Sequence, residues 1–143
     1  METTDNTRRT RGRSGDDNMY DTLQRLFHYK AWANDELLSA LAKLGGESPI
    51  TNLAVKALSH TYVVDRIFAA HLRRKGHAYT SANLSEMPTL EALSADMRTS
   101  ARVYIGYVSS LDSGQLAERI DFTFTDGAPA SMSREEMLLH VIT

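Results

Sequence analysis

The sequence predicts an all-α protein: an antiparallel four-helix bundle with a short β-hairpin or extended loop before the last helix. Three observations carry that prediction. Three long segments repeat apolar residues at three- and four-residue steps and end on helix stop signals. The apolar period then drops to two over "RIDFTFTDG". Immediately afterwards "SREEMLLHVIT" opens with a serine and a glutamate at capping-box spacing.

The first helix is expected from about Asn18 to Leu44, with Leu23, Leu26, Phe27, Leu37, Leu41 and Leu44 as its stripe. Asp16, Asp17 and Asp21 suit the positive end of its dipole. Gly45 and Gly46 stop it. Pro49 and Thr51 open the second helix, expected to reach Lys75 before Gly76. Its line of Leu53, Ala57, His60, Val64, Ile67 and His71 falls on one face, with Asp65, Arg66 and Arg73 pointing away. Pro88 and Thr89 begin the third helix, whose stripe runs from Leu90 through Leu93, Met97, Tyr104 and Val108 to Leu111. Ile120, Phe122 and Phe124 alternate with polar residues as a short strand, and Asp126-Gly127 makes the turn. Pro129 confines any return strand to an edge. A lone hairpin is marginal, so this one is expected to pack across helix ends. The fourth helix starts at Arg134 and carries Met137, His140 and Val141. No stop signal follows, so the last helix is expected to be incomplete at Thr143.

The chain has 143 residues, which is one domain by length, expected over residues 18–143. Residues 1–17 are polar and rich in arginine, and are expected to form a disordered tail. A formal charge of -2 gives no reason to expect nucleic acid as a partner. The absence of cysteine excludes disulfides, thiolate metal sites and a cysteine nucleophile. No apolar run suits a membrane span and the N-terminus lacks a signal-peptide core, so a cytoplasmic location is expected.

Of the five histidines, His60 is the most informative. Placed mid-helix among apolar residues, an imidazole needs a hydrogen-bond partner or a metal, because an unsatisfied buried polar group costs roughly 1–3 kcal/mol. Periodicity does not choose between a satisfied core histidine and a ligand. His71 lies about 16 Å further along the helix, too far to share an ion with His60, and near a helix end that favours a cation. His77 reads as loop, and His28 faces either the bundle or water. His140 is the second candidate ligand, since a histidine one turn away would complete a metal-gripping pair. Glu135-Glu136 and Asp35-Glu36 read as exposed charges, and Trp32 and the tyrosines mainly as packing. No phosphate loop or serine elbow is present.

"LFHYKAWANDELLSAL" resembles the first-helix signature of the DinB-like (DinB/YfiT) superfamily, through Tyr29, Trp32, Ala33, Asn34, Leu37 and Leu38. "ALSHTYVVDRIFAAHL" is similar to that family's second helix, and the resemblance extends over about residues 19–143. It implies a four-helix bundle and a three-histidine site for a divalent metal, Zn or Ni. His60 would be the ligand from the second helix. A His-x-x-x-His pair on the last helix would supply the others, with His140 better matched to a position one turn before that pair. The implied activity is that of a metal-dependent hydrolase or thiol-dependent S-transferase, acting on a small molecule such as a low-molecular-weight thiol, in a homodimer. The alternative is a helical binding or dimerisation module without catalysis.

Overall fold

A computed structural model describes residues 15–45 and 48–143. Four α-helices, α1 (Gly15–Lys43), α2 (Pro49–Leu72), α3 (Leu90–Ser110) and α4 (Arg134–Ile142), account for most of them. Between α3 and α4 lie a 3-10 turn (Ser113–Ala117) and two strands, β1 (Arg119–Thr123) and β2 (Pro129–Ser133). Both α1 and α2 pack on α3, and α4 packs on α1 and α2. No helix among the described residues is long and apolar enough to cross a membrane.

Local chemistry sets most boundaries. Gly45 ends α1 in the left-handed region at φ 70°, which costs glycine little. The Ser48 hydroxyl caps α2 by accepting from the Thr51 N–H at 3.1 Å, with Pro49 in the first turn. Thr89 caps α3 in the same way through the Ala92 N–H. Ser133 and Glu136 form both halves of the expected capping box at α4. A second capping box, Asp112 with Gln115, starts the 3-10 turn. The "DxxQ" spacing is the sequence signal for that turn, which is not among the expected elements.

The strands form an antiparallel pair with Ile120 opposite Met132 and Thr123 opposite Pro129. Gly127 turns the chain at φ 89°, and the Asp126 carboxylate accepts the Ala128 N–H. Ile120 and Phe122 are buried as expected, whereas Phe124 lies past the strand end and is exposed. The Phe122 ring meets Phe68 and His71 near the C-terminal end of α2, so the hairpin does pack across a helix end.

Three expectations are corrected. The first helix begins at Gly15, so residues 15–17 belong to it and not to a tail; residues 1–14 lie outside the described residues. The second helix ends at Leu72, three residues early. Arg74 takes φ 53°, and the Arg74 and Lys75 N–H groups bond back to the His71 and Ala70 carbonyls as a Schellman motif. In its first half α2 buries Thr51, Val55, Ser59 and Val63, not the expected Leu53, Ala57 and His60; in its second half Ile67 is buried and Val64 packs on the core as expected, alongside buried Asp65, Phe68 and Leu72. Leu53 is 70% exposed. Thr51 and Ser59 carry no apolar signal although they face inward, while Leu53 and Ala57 carry one and face out, so hydrophobic periodicity misplaces the inward face of the first half of α2.

The core has two parts. Leu23, Phe27, Phe68, Tyr104, Val108 and Met137 belong to a large cluster that also takes in Ile120, Phe122, Leu138 and Val141. Leu38, Val55, Leu93 and Met97 form a smaller one. On each of the three long helices, a polar residue separates the two: Lys30 on α1, Asp65 on α2 and Ser100 on α3. Outside the core, Tyr29 and Trp32 are more than half exposed and touch each other at 5.6 Å. They sit opposite the inner face of Leu23, Phe27, Leu38 and Leu41, so the packing role expected for them does not hold.

Candidate functional site

His60 projects outward from α2 and is exposed. The loop that follows α2 returns across it. Ser81 Oγ accepts the Asn83 N–H, shaping the loop there, and Nδ1 of His60 lies 3.1 Å from both the Ala82 carbonyl and Asn83 Oδ1. A backbone carbonyl can only accept, so Nδ1 carries the proton and the lone pair is assigned to Nε2. That is the tautomer and second contact found in metal-bound imidazoles, whose other nitrogen donates to a carbonyl or carboxylate.

The remaining histidines gather elsewhere. The His140 ring lies 4.7 Å from the Phe68 ring. Phe68 is eight residues along α2 from His60, about 12 Å along the axis. No group of three or more His, Asp or Glu among the described residues is placed to hold a metal. His71 stacks against Phe122 at 4.6 Å and meets His77 edge-on at 5.3 Å. Burial first, and His77 second, lower its pKa below the ordinary histidine value, so the cation expected at this helix end is disfavoured. His77 is in the loop, as expected, with Nδ1 accepting the Tyr79 N–H. His28 is exposed.

A buried ion pair went unforeseen. Lys30 Nζ donates to Asp65 Oδ2 at 2.9 Å and to the Val141 carbonyl, joining α1 to α2 and α4. Tyr104 on α3 donates to the Asp65 carbonyl. Desolvation pushes the Asp65 carboxyl above its usual range, and the Lys30 ammonium pulls the other way. Helical periodicity puts Asp65 on the outer face, but in the structure it is 7% exposed. Phe68 and Leu72, one and two turns further along α2, share its buried face.

Arg134 forms a second polar junction. Buried at the start of α4, it donates to the Tyr107 hydroxyl, the Gln115 carbonyl and Glu118 Oε2. Arg74 donates to the other oxygen of Glu118. The two arginine hydrogen bonds, that of Arg134 the stronger, bring the Glu118 carboxyl down to about 2.

These junctions hold the helices; His60, by contrast, is presented outward with its Nδ1 proton held by the loop. The family model described as "DinB family" matches residues 19–143. No curated protein and no solved structure matches the chain.

Proposed function

The chain belongs to the DinB family, and on that premise we propose that it is a metal-dependent protein in which His60 Nε2 is one ligand of a divalent ion, Zn or Ni. The reading takes the four helices as an antiparallel bundle and the substrate as a small molecule. The reaction is hydrolysis or transfer to a low-molecular-weight thiol. The observation that carries it is the His60 Nδ1–H held by Ala82 and Asn83, which leaves Nε2 free to coordinate. The described residues fit one ligand position and not a whole set, since His140 is turned onto Phe68. Imidazole-bound Zn or Ni would lower the pKa of a bound water or thiol toward neutrality.

The test is the metal content of the full-length protein by elemental analysis, compared with His60→Ala and Asn83→Leu. His60→Ala is expected to lose the metal, and Asn83→Leu to weaken metal affinity by about 10–100-fold. Equal metal, or none, in the wild type and His60→Ala would overturn the proposal. It would favour a non-catalytic binding module, for which exposed Tyr29, Trp32, Leu44, Ile50 and Leu53 offer apolar surface.

A further inference from the structure

The polar layer between the two core clusters contains a small cavity lined by Lys30, Asn34, Tyr62, Asp65, Ser100 and Tyr104, with apolar residues around them. About 20 Å³ of it is open to the centre of a water molecule, above the roughly 10–15 Å³ that one water needs. One buried group on its wall is unsatisfied, and a carboxylate oxygen beside it has room for a further hydrogen bond. Ser100 is 5% exposed and its hydroxyl has no hydrogen-bond partner. Asp65 uses Oδ2 for Lys30, and its Oδ1 has no hydrogen bond among the described residues. The Asn34 amide also lines the space and has no described partner.

We propose that this cavity is a binding site for one ordered water molecule, which accepts from or donates to Ser100 Oγ and donates to Asp65 Oδ1. The site supplies what a buried water requires: a polar wall, two to four partners and room for one oxygen. The carboxylate can only accept, so one proton of the water is directed to Asp65 Oδ1, and the Ser100 hydroxyl either takes the second proton or donates to a lone pair of the water. The cavity adjoins a solvent-facing groove. Ala31, Asn34, Met97 and Ala101 line both this cavity and the neighbouring groove between α1 and α3. Bound there, the water joins α3 to the Lys30–Asp65 pair, and through Lys30 to α4.

Ser59 provides an internal comparison. Its hydroxyl is equally buried and without a partner, but Ser59 lines none of the described cavities. Replacing it with alanine removes an orphaned hydroxyl and improves helix propensity. Ser59→Ala is therefore expected to leave the melting temperature unchanged or raise it. Ser100→Ala deprives the water of a partner and is expected to lower it by about 2–4 °C. A crystal structure of the wild-type chain at high resolution is expected to show one water within hydrogen-bond distance of Ser100 Oγ and Asp65. A dry cavity in that structure would overturn the proposal, and so would a Ser100→Ala protein at least as stable as the wild type.

Discussion

Lys30 and Asp65 show how little hydrophobic periodicity says about a charge whose partner is on another helix. Each stands among apolar neighbours, and neither pattern announces a cross-helix pair 35 residues apart. Their net worth is also hidden, because burying both charges consumes much of what their attraction returns. Removing one partner is a different matter. Lys30→Met leaves the Asp65 carboxylate desolvated and unpaired, and is expected to cost about 3 kcal/mol in urea denaturation. The lower part of the usual range applies because the two side chains keep 16% and 10% of their exposure. Lys30→Met with Asp65→Leu removes both charges and is expected to recover most of that loss. A double variant no more stable than Lys30→Met would show that the Val141 contact, and not the ion pair, dominates. His60 is the opposite case: its identity as a candidate was legible from the sequence, but its surroundings were not. The inward line of α2 runs through Thr51 and Ser59, whose small hydroxyls left no apolar trace.

Element boundaries follow backbone chemistry and were more legible than side-chain partners. The caps at Thr89 and Ser133 and the turn at Asp126-Gly127 lie where side-chain oxygens and glycine permit them. The end of α2 departs because the left-handed position went to Arg74, two residues before Gly76. An arginine there pays a backbone penalty, and its guanidinium donates to Glu118. Two substitutions separate these effects. Arg74→Ala loses the Glu118 contact and keeps a side chain at positive φ. Arg74→Gly loses the same contact but relieves the backbone, so it is expected to be more stable than Arg74→Ala by about 1 kcal/mol. Thermal denaturation of the two variants decides this. Equal melting temperatures would mean that the Schellman geometry at Arg74 carries no strain.

Across the whole molecule, the helical class, the element order and the hairpin before α4 could be read from pattern, because each depends on neighbours in sequence. The polar junctions could not, because their partners come from different elements. Glu118 is the clearest example, since it connects the residues that end α2 to those that begin α4 through Arg74 and Arg134. Its pH behaviour should therefore report on how these parts hold together. The folded carboxyl titrates at about 2, below the ordinary value of 4.5 that applies when the chain is unfolded. The folded state thus binds a proton less readily than the unfolded state, and stability rises with pH through this interval. The contribution is fully present above about pH 4.5 and is lost as pH falls toward 2. Glu136, lowered chiefly by the Ser133 backbone N–H, acts in the same sense. Asp65 acts in the opposite sense. Desolvation raises its carboxyl despite Lys30, so acid does not cost the fold through this group. The expected profile is a fall in the urea midpoint between pH 4.5 and 2 for the wild type. Glu118→Gln should start lower at pH 7 and fall less steeply over the same interval. Parallel profiles would place the acid-sensitive contacts elsewhere and remove Glu118 from the set that ties α2 to α4.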